Sequence, residues 1–159
     1  MNGPDTRLFG ISAADYGDTY KQDYLAMFLD YVASADRISE RRHTTNNFFL
    51  TINTALVGIT GFFAQDAGKL IWVAALAGLA FSLTWMVIIQ SYRSLNTAKF
   101  KVIHQLEKNL PFAAYDEEWI LLKQGKKGSV HRPFGKVEVL VPWIFIVLHG
   151  VVVFVNVQS

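Results

Sequence analysis

The sequence predicts an all-α fold of three transmembrane helices, a hairpin of two followed by a C-terminal span, joined to a cytoplasmic helical stem. Three observations carry this expectation. Of 159 residues, 52% are hydrophobic and 18% charged, whereas a soluble domain typically carries about 25% charged residues. The apolar excess is gathered into uncharged runs at 48–64, 70–89 and 139–157. The Lys and Arg residues lie outside these runs, and nearly all fall on one side of them. The chain has no cysteine, which excludes disulfides, iron–sulfur clusters and a thiol nucleophile, and its length holds a single domain.

The elements follow in order. Residues 1–17, with Gly3, Pro4 and Gly10, read as a flexible N-terminal tail. Over 18–47, Tyr20, Tyr24, Met27, Tyr31, Ala35 and Ile38 recur every three or four residues while Asp23, Asp30, Ser34, Arg37 and Arg41 fall elsewhere. That is the period of an amphipathic helix. No Pro or Gly interrupts the chain from Asp18 to Val57, so this helix is expected to run unbroken into the first span and to project from the membrane. The acidic residues on its polar face disfavour the competing arrangement, a helix lying flat on anionic lipid.

The first span is placed at 48–64, an external loop at 65–69 and the second span at 70–89. A hydrocarbon core of roughly 30 Å needs about 20 helical residues, with about 17–25 tolerated. A loop this short makes the two spans an antiparallel hairpin. The segment 90–138 is then a cytoplasmic helical segment and basic loop. Leu95, Ala98, Val102, Ile103 and Leu106 extend the second span as a helix until Pro111, and 115–122 reads as a short helix with acids in its first turn. Gly125, Lys126, Lys127, Gly128 and Pro133 make a basic approach to the third span, 139–157, which leaves an external tail at 158–159. That basic run beside a membrane end points to topology and anionic lipid rather than nucleic acid.

Lys69 alone lies on the hairpin-tip side, against a basic N-terminal flank and a basic middle segment. The positive-inside rule therefore places the N-terminus in the cytoplasm and the C-terminus outside. Trp72, Trp85 and Trp143 lie toward span ends, where indole rings favour the headgroup layer.

Polar and small residues inside the runs are the candidates for function. Asn47, Thr51, Thr54, Gly58 and Gly61 form one row on the first span, and Asn46, Asn53 and Thr60 form a neighbouring stripe. Small residues let helices approach closely in lipid, and Asn or Thr can hydrogen-bond between them. The first row is expected to meet Ala74, Gly78 and Ser82 of the second span, leaving the Asn53 stripe for another subunit or a watery axis. His149 is the one ionisable residue within an apolar run and is expected to be neutral, hydrogen-bonded between helices. Just below the membrane, Tyr92, Arg93 and Asn96 are candidates for assembly, with Arg93 paired to Glu40, Glu138 or lipid phosphate.

His43, His104 and His131 share no metal-ligand spacing, and Asp116, Glu117 and Glu118 are adjacent and so diverge on a helix. No phosphate-cradling loop or nucleophile elbow is present. The expectation is a protein without catalytic residues, cofactor or metal.

The stretch Ser91-Tyr92-Arg93-Ser94-Leu95-Asn96-Thr97-Ala98-Lys99-Phe100, continuing to Leu110-Pro111 and followed by Tyr115 and Glu118-Trp119, resembles the RipA family of bacterial octameric membrane proteins. So does Asn47-Phe48-Phe49-Leu50-Thr51-Ile52-Asn53-Thr54-Ala55-Leu56. The resemblance covers most of the chain from about Tyr20. It implies a bacterial inner-membrane protein assembled as a homo-oligomer, an octamer, whose partners are its own copies and membrane lipids, and it transfers no catalytic residues. The expected function is structural or interactive. A channel-like protein is the alternative, including an effector that perforates membranes.

Overall fold

The computed structural model describes residues 8, 10–62, 68–122 and 138–158. The expected residues 1–7 of the tail, most of the 65–69 loop, the basic approach at 123–137 and Ser159 lie outside them. Among the described residues five helices follow one another: α1 (Ala13–Tyr16), α2 (Tyr20–Phe62), α3 (Gly68–Glu107), α4 (Ala114–Leu121) and α5 (Leu140–Gln158). There is no strand among the described residues.

The unbroken helices expected on both sides of the hairpin are present. α2 has 43 residues and α3 has 40, about 65 and 60 Å at 1.5 Å per residue, roughly twice the hydrocarbon thickness of a bilayer. Isolated helices gain little from local propensity, so such lengths need a packed face throughout. The buried positions supply it. Ile71, Ala75, Gly78, Ser82, Trp85 and Ile89 on α3 alternate steps of four and three. On α2, Phe28, Ala35 and Phe49 share one seven-residue register, and Asn53 and Thr60 share another. A period of 3.5 keeps two antiparallel seams facing each other along their full length.

The stem buries Phe28, Ala35 and Ile103, with Tyr31, Val32, Phe100 and Leu106 packed around them. Two expectations shift here. Met27 is 71% exposed, and its neighbour Phe28 takes the core position instead; Phe28, not Met27, lies seven residues from Ala35. Leu95 is likewise exposed, and Ile103 holds the centre of the α3 face. Tyr24 donates its hydroxyl to the Leu106 carbonyl at 2.6 Å, and Lys99 donates to Ser34 at 2.6 Å while lying 4.4 Å over the Tyr31 ring.

Within the N-terminal region a short helix, α1, follows Ser12. Ser12 caps α1 by accepting from the Asp15 amide and donating to its carboxylate, a local form of reciprocal capping. Gly17, at φ +102°, turns the chain into α2 in a conformation that favours glycine. At the far end of α3, Glu107 accepts from the Tyr115 amide at 2.6 Å and so anchors α4.

Burial pushes the Tyr24 hydroxyl above the ordinary phenol range; Asn109 draws it back in part and Tyr20 adds to the rise. A raised folded-state value means the neutral phenol stabilises the stem in full below the unfolded value of about 10, and that contribution is lost as pH rises through the folded value. The thermal midpoint should therefore fall as pH passes about 10. In Tyr24→Phe the fall should be shallower, and an identical slope in the two proteins would remove Tyr24 as its source.

Two helices, not three, are long and apolar enough to cross a membrane by length and composition among the described residues: 71–107 within α3 and 140–157 within α5. The expected first span, 48–64, ends outside the described residues, which on α2 stop at Phe62, so only its first 15 residues belong to the described helix.

Candidate functional site

The polar residues of the apolar region converge on α3. Asn53, fully buried on α2, accepts from the Ser82 hydroxyl at 2.7 Å and donates its own amide to the Phe49 carbonyl at 2.9 Å. Both the oxygen and the nitrogen of the amide are thereby used. Seven residues earlier on the same stripe, Asn46 accepts from the Trp85 indole N–H at 2.9 Å. Thr60, seven residues later, is buried and donates to the Val57 carbonyl.

This arrangement exchanges the two stripes of the sequence reading. The Asn46–Asn53–Thr60 stripe forms the hairpin contact, while Thr51, Thr54, Gly58 and Gly61 of the other row are exposed. The physical reason is Phe49. It lies on the same helix face as the Asn46 stripe, three residues after Asn46 and four before Asn53, and its ring stacks on Trp85 at 5.9 Å with 9° between planes. Turning the other row inward would remove this aromatic pair from α3. Gly78 stays buried, but it faces α5 rather than α2.

Trp85 is the junction of all three long elements. It is 2% exposed, stacked on Phe49 of α2, 6.3 Å from Phe145 of α5, and hydrogen-bonded to Asn46. It is therefore a core residue of the bundle, whereas Trp143 is half exposed.

His149 lies fully buried on α5 against Gly78 of α3, where any Cβ would overlap its imidazole. Its ring stacks on Phe145, with centroids 6.4 Å apart. The expected interhelical hydrogen bond is absent: neither ring nitrogen has a partner among the described residues. The imidazole is held by packing, with the glycine backbone as its floor.

Below these contacts, Tyr92, Arg93 and Asn96 diverge. The Tyr92 hydroxyl lies 3.4 Å from that of Thr45. Arg93 lines an open polar cleft with Gln90, Ser94, Thr97 and Lys101. The Asn96 side-chain oxygen is buried without a partner among the described residues. Arg93 pairs with neither Glu40 nor Glu138. Glu138 instead faces Arg42 at 3.6 Å, both side chains largely shielded, which ties the entry of α5 to α2.

Arg42 and Glu107 are the structural residues that sequence reasoning passed over. The register would have found them: Arg42 lies seven residues from both Ala35 and Phe49, and Glu107 one helical turn beyond Ile103. No group of three or more His, Asp or Glu side chains able to hold a metal occurs among the described residues.

A sequence model of the octameric membrane protein family, 8xMP, matches residues 27–157. The chain belongs to this family. The matched region takes in the buried stripe, Trp85, the Gly78–His149 contact and α4, while α1 and the first seven residues of α2 precede it. No curated protein and no solved structure matches the chain. Membership agrees with the two apolar helices and places the protein in a membrane.

Proposed function

We propose that the protein is a homo-octameric assembly of structural or interaction type in the bacterial inner membrane, without catalytic activity. One observation carries this reading. The polar side chains best suited to chemistry or conduction, Asn46, Asn53 and Ser82, are committed to helix contacts within one protomer, while the outer faces of α3 and α5 present Val73, Leu76, Val87, Val147, Val151 and Phe154. Apolar outer faces suit lipid and neighbouring copies. The family description supports the octamer, and the resemblance to RipA proteins supports a bacterial source.

In this reading the C-terminal part of α2 is a third span, carried by its contacts with α3 despite its polar residues. The Lys and Arg distribution supports a cytoplasmic N-terminus and an external C-terminus. A channel is the second reading, and the exposed row Thr51, Thr54 and Gly58 favours it, because eight such rows around an axis would supply hydroxyl groups to water.

Native mass spectrometry in lipid nanodiscs, with ion flux from proteoliposomes, separates the readings. The expected result is a particle of eight 17.9 kDa chains and no flux above that of empty liposomes. A monomer would overturn the assembly. An octamer with flux would move the function to the channel.

A further inference from the structure

The distal end of the stem leaves two apolar surfaces uncovered. One is a groove of about 390 Å³ whose walls include Tyr20, Tyr24, Met27, Val102 and Leu106. The other is the outer edge of α4, where Ile120 and Leu121 are exposed, Leu121 to 73%. Tyr24 lies 24 residues before the apolar run of α2, about 36 Å along the helix, so lipid does not reach this level in the topology proposed above. Uncovered apolar patches in water mark interaction surfaces.

The two surfaces lie on different sides of the protomer. Val102 of α3 faces the groove, whereas Phe100 and His104, each two residues away, meet Tyr115 and Asp116 of α4. Two steps of about 100° put them roughly 160° from Val102. Surfaces so placed cannot both be covered by one two-fold contact, but a head-to-tail contact covers both and propagates into a ring.

We propose that the α4 edge of one copy, with Leu121 as its knob, seats in the tyrosine-lined groove of the next copy and that this contact closes the cytoplasmic end of the ring. It rests on the homo-oligomeric reading above and adds the surface that makes it. The occupant is a second copy of this chain, because the complementary edge is present on the chain itself and the family is described as octameric.

The absence of cysteine makes the test direct. The Met27→Cys/Leu121→Cys double variant, oxidised in proteoliposomes, should give a ladder of disulfide-linked multiples on a non-reducing gel. Each single variant should remain monomeric on the same gel. A dimer from Met27→Cys alone would overturn the proposal in favour of groove-to-groove pairing. An octameric native mass without a ladder would overturn this contact and leave the assembly standing. A monomeric native mass would overturn both.

Discussion

Replacing Trp85 by alanine should produce the largest loss of stability of any single truncation in the helix bundle. The indole fills the point where α2, α3 and α5 meet, stacked on Phe49, close to Phe145 and bonded to Asn46. Truncating a buried Phe or Trp typically costs about 3–5 kcal/mol in a protein core. The lower end applies here, because lipid is as apolar as the core and the cost comes chiefly from the cavity and the lost contacts. On the order of 3 kcal/mol corresponds to a fall in thermal midpoint of roughly 6–12 °C at about 2–4 °C per kcal/mol. Trp85→Phe keeps an aromatic ring and loses the N–H donor, so its cost should be about 1 kcal/mol, the usual net value of one hydrogen bond. Thermal unfolding of purified protein in detergent measures both. Equal shifts in the two variants would show that the ring contributes nothing beyond its hydrogen bond.

Gly78→Val should come next, through overpacking. A side chain at Gly78 occupies the volume of the His149 imidazole, and both positions lie on long helices held elsewhere along their length. Forcing groups into a filled site costs about 1–3 kcal/mol, sometimes more. The change should be strongly coupled to its neighbour. His149→Ala alone leaves a cavity, but in the Gly78→Val background it removes the overlap, so the double variant should be more stable than the sum of the single effects by roughly 1–3 kcal/mol. Additive effects would mean that the two residues do not share the site.

Both expectations depend on which faces meet, and that is where sequence reasoning stops short. The row Asn47, Thr51, Thr54, Gly58, Gly61 and the stripe Asn46, Asn53, Thr60 are adjacent on one helix and follow compatible spacings. Small size favours the first row as a contact between helices. The second wins because its helix face includes Phe49, which stacks on Trp85, and because Asn53 and Ser82 satisfy each other across the seam. Those partners lie 29 and 36 residues from one another in the chain, and no local pattern records their pairing. The same holds for Glu138, which the sequence offers as one partner for Arg93 and which the fold gives to Arg42.

The low charge and the gathered apolar runs determined, without coordinates, that the chain is helical, that it belongs to a membrane, and that α2 and α3 continue past the apolar region as a stem. These are properties of composition and breaker placement: uninterrupted helical period and absent Gly or Pro act locally. Only the tertiary structure decided which polar residues are consumed in the hairpin, that His149 rests on Gly78 without a hydrogen bond, and that a groove and an exposed α4 edge occupy different sides of the stem. Helix faces differ by rotations of tens of degrees, and what selects among them is the fit of side chains from distant segments, a quantity that exists only once the helices are packed.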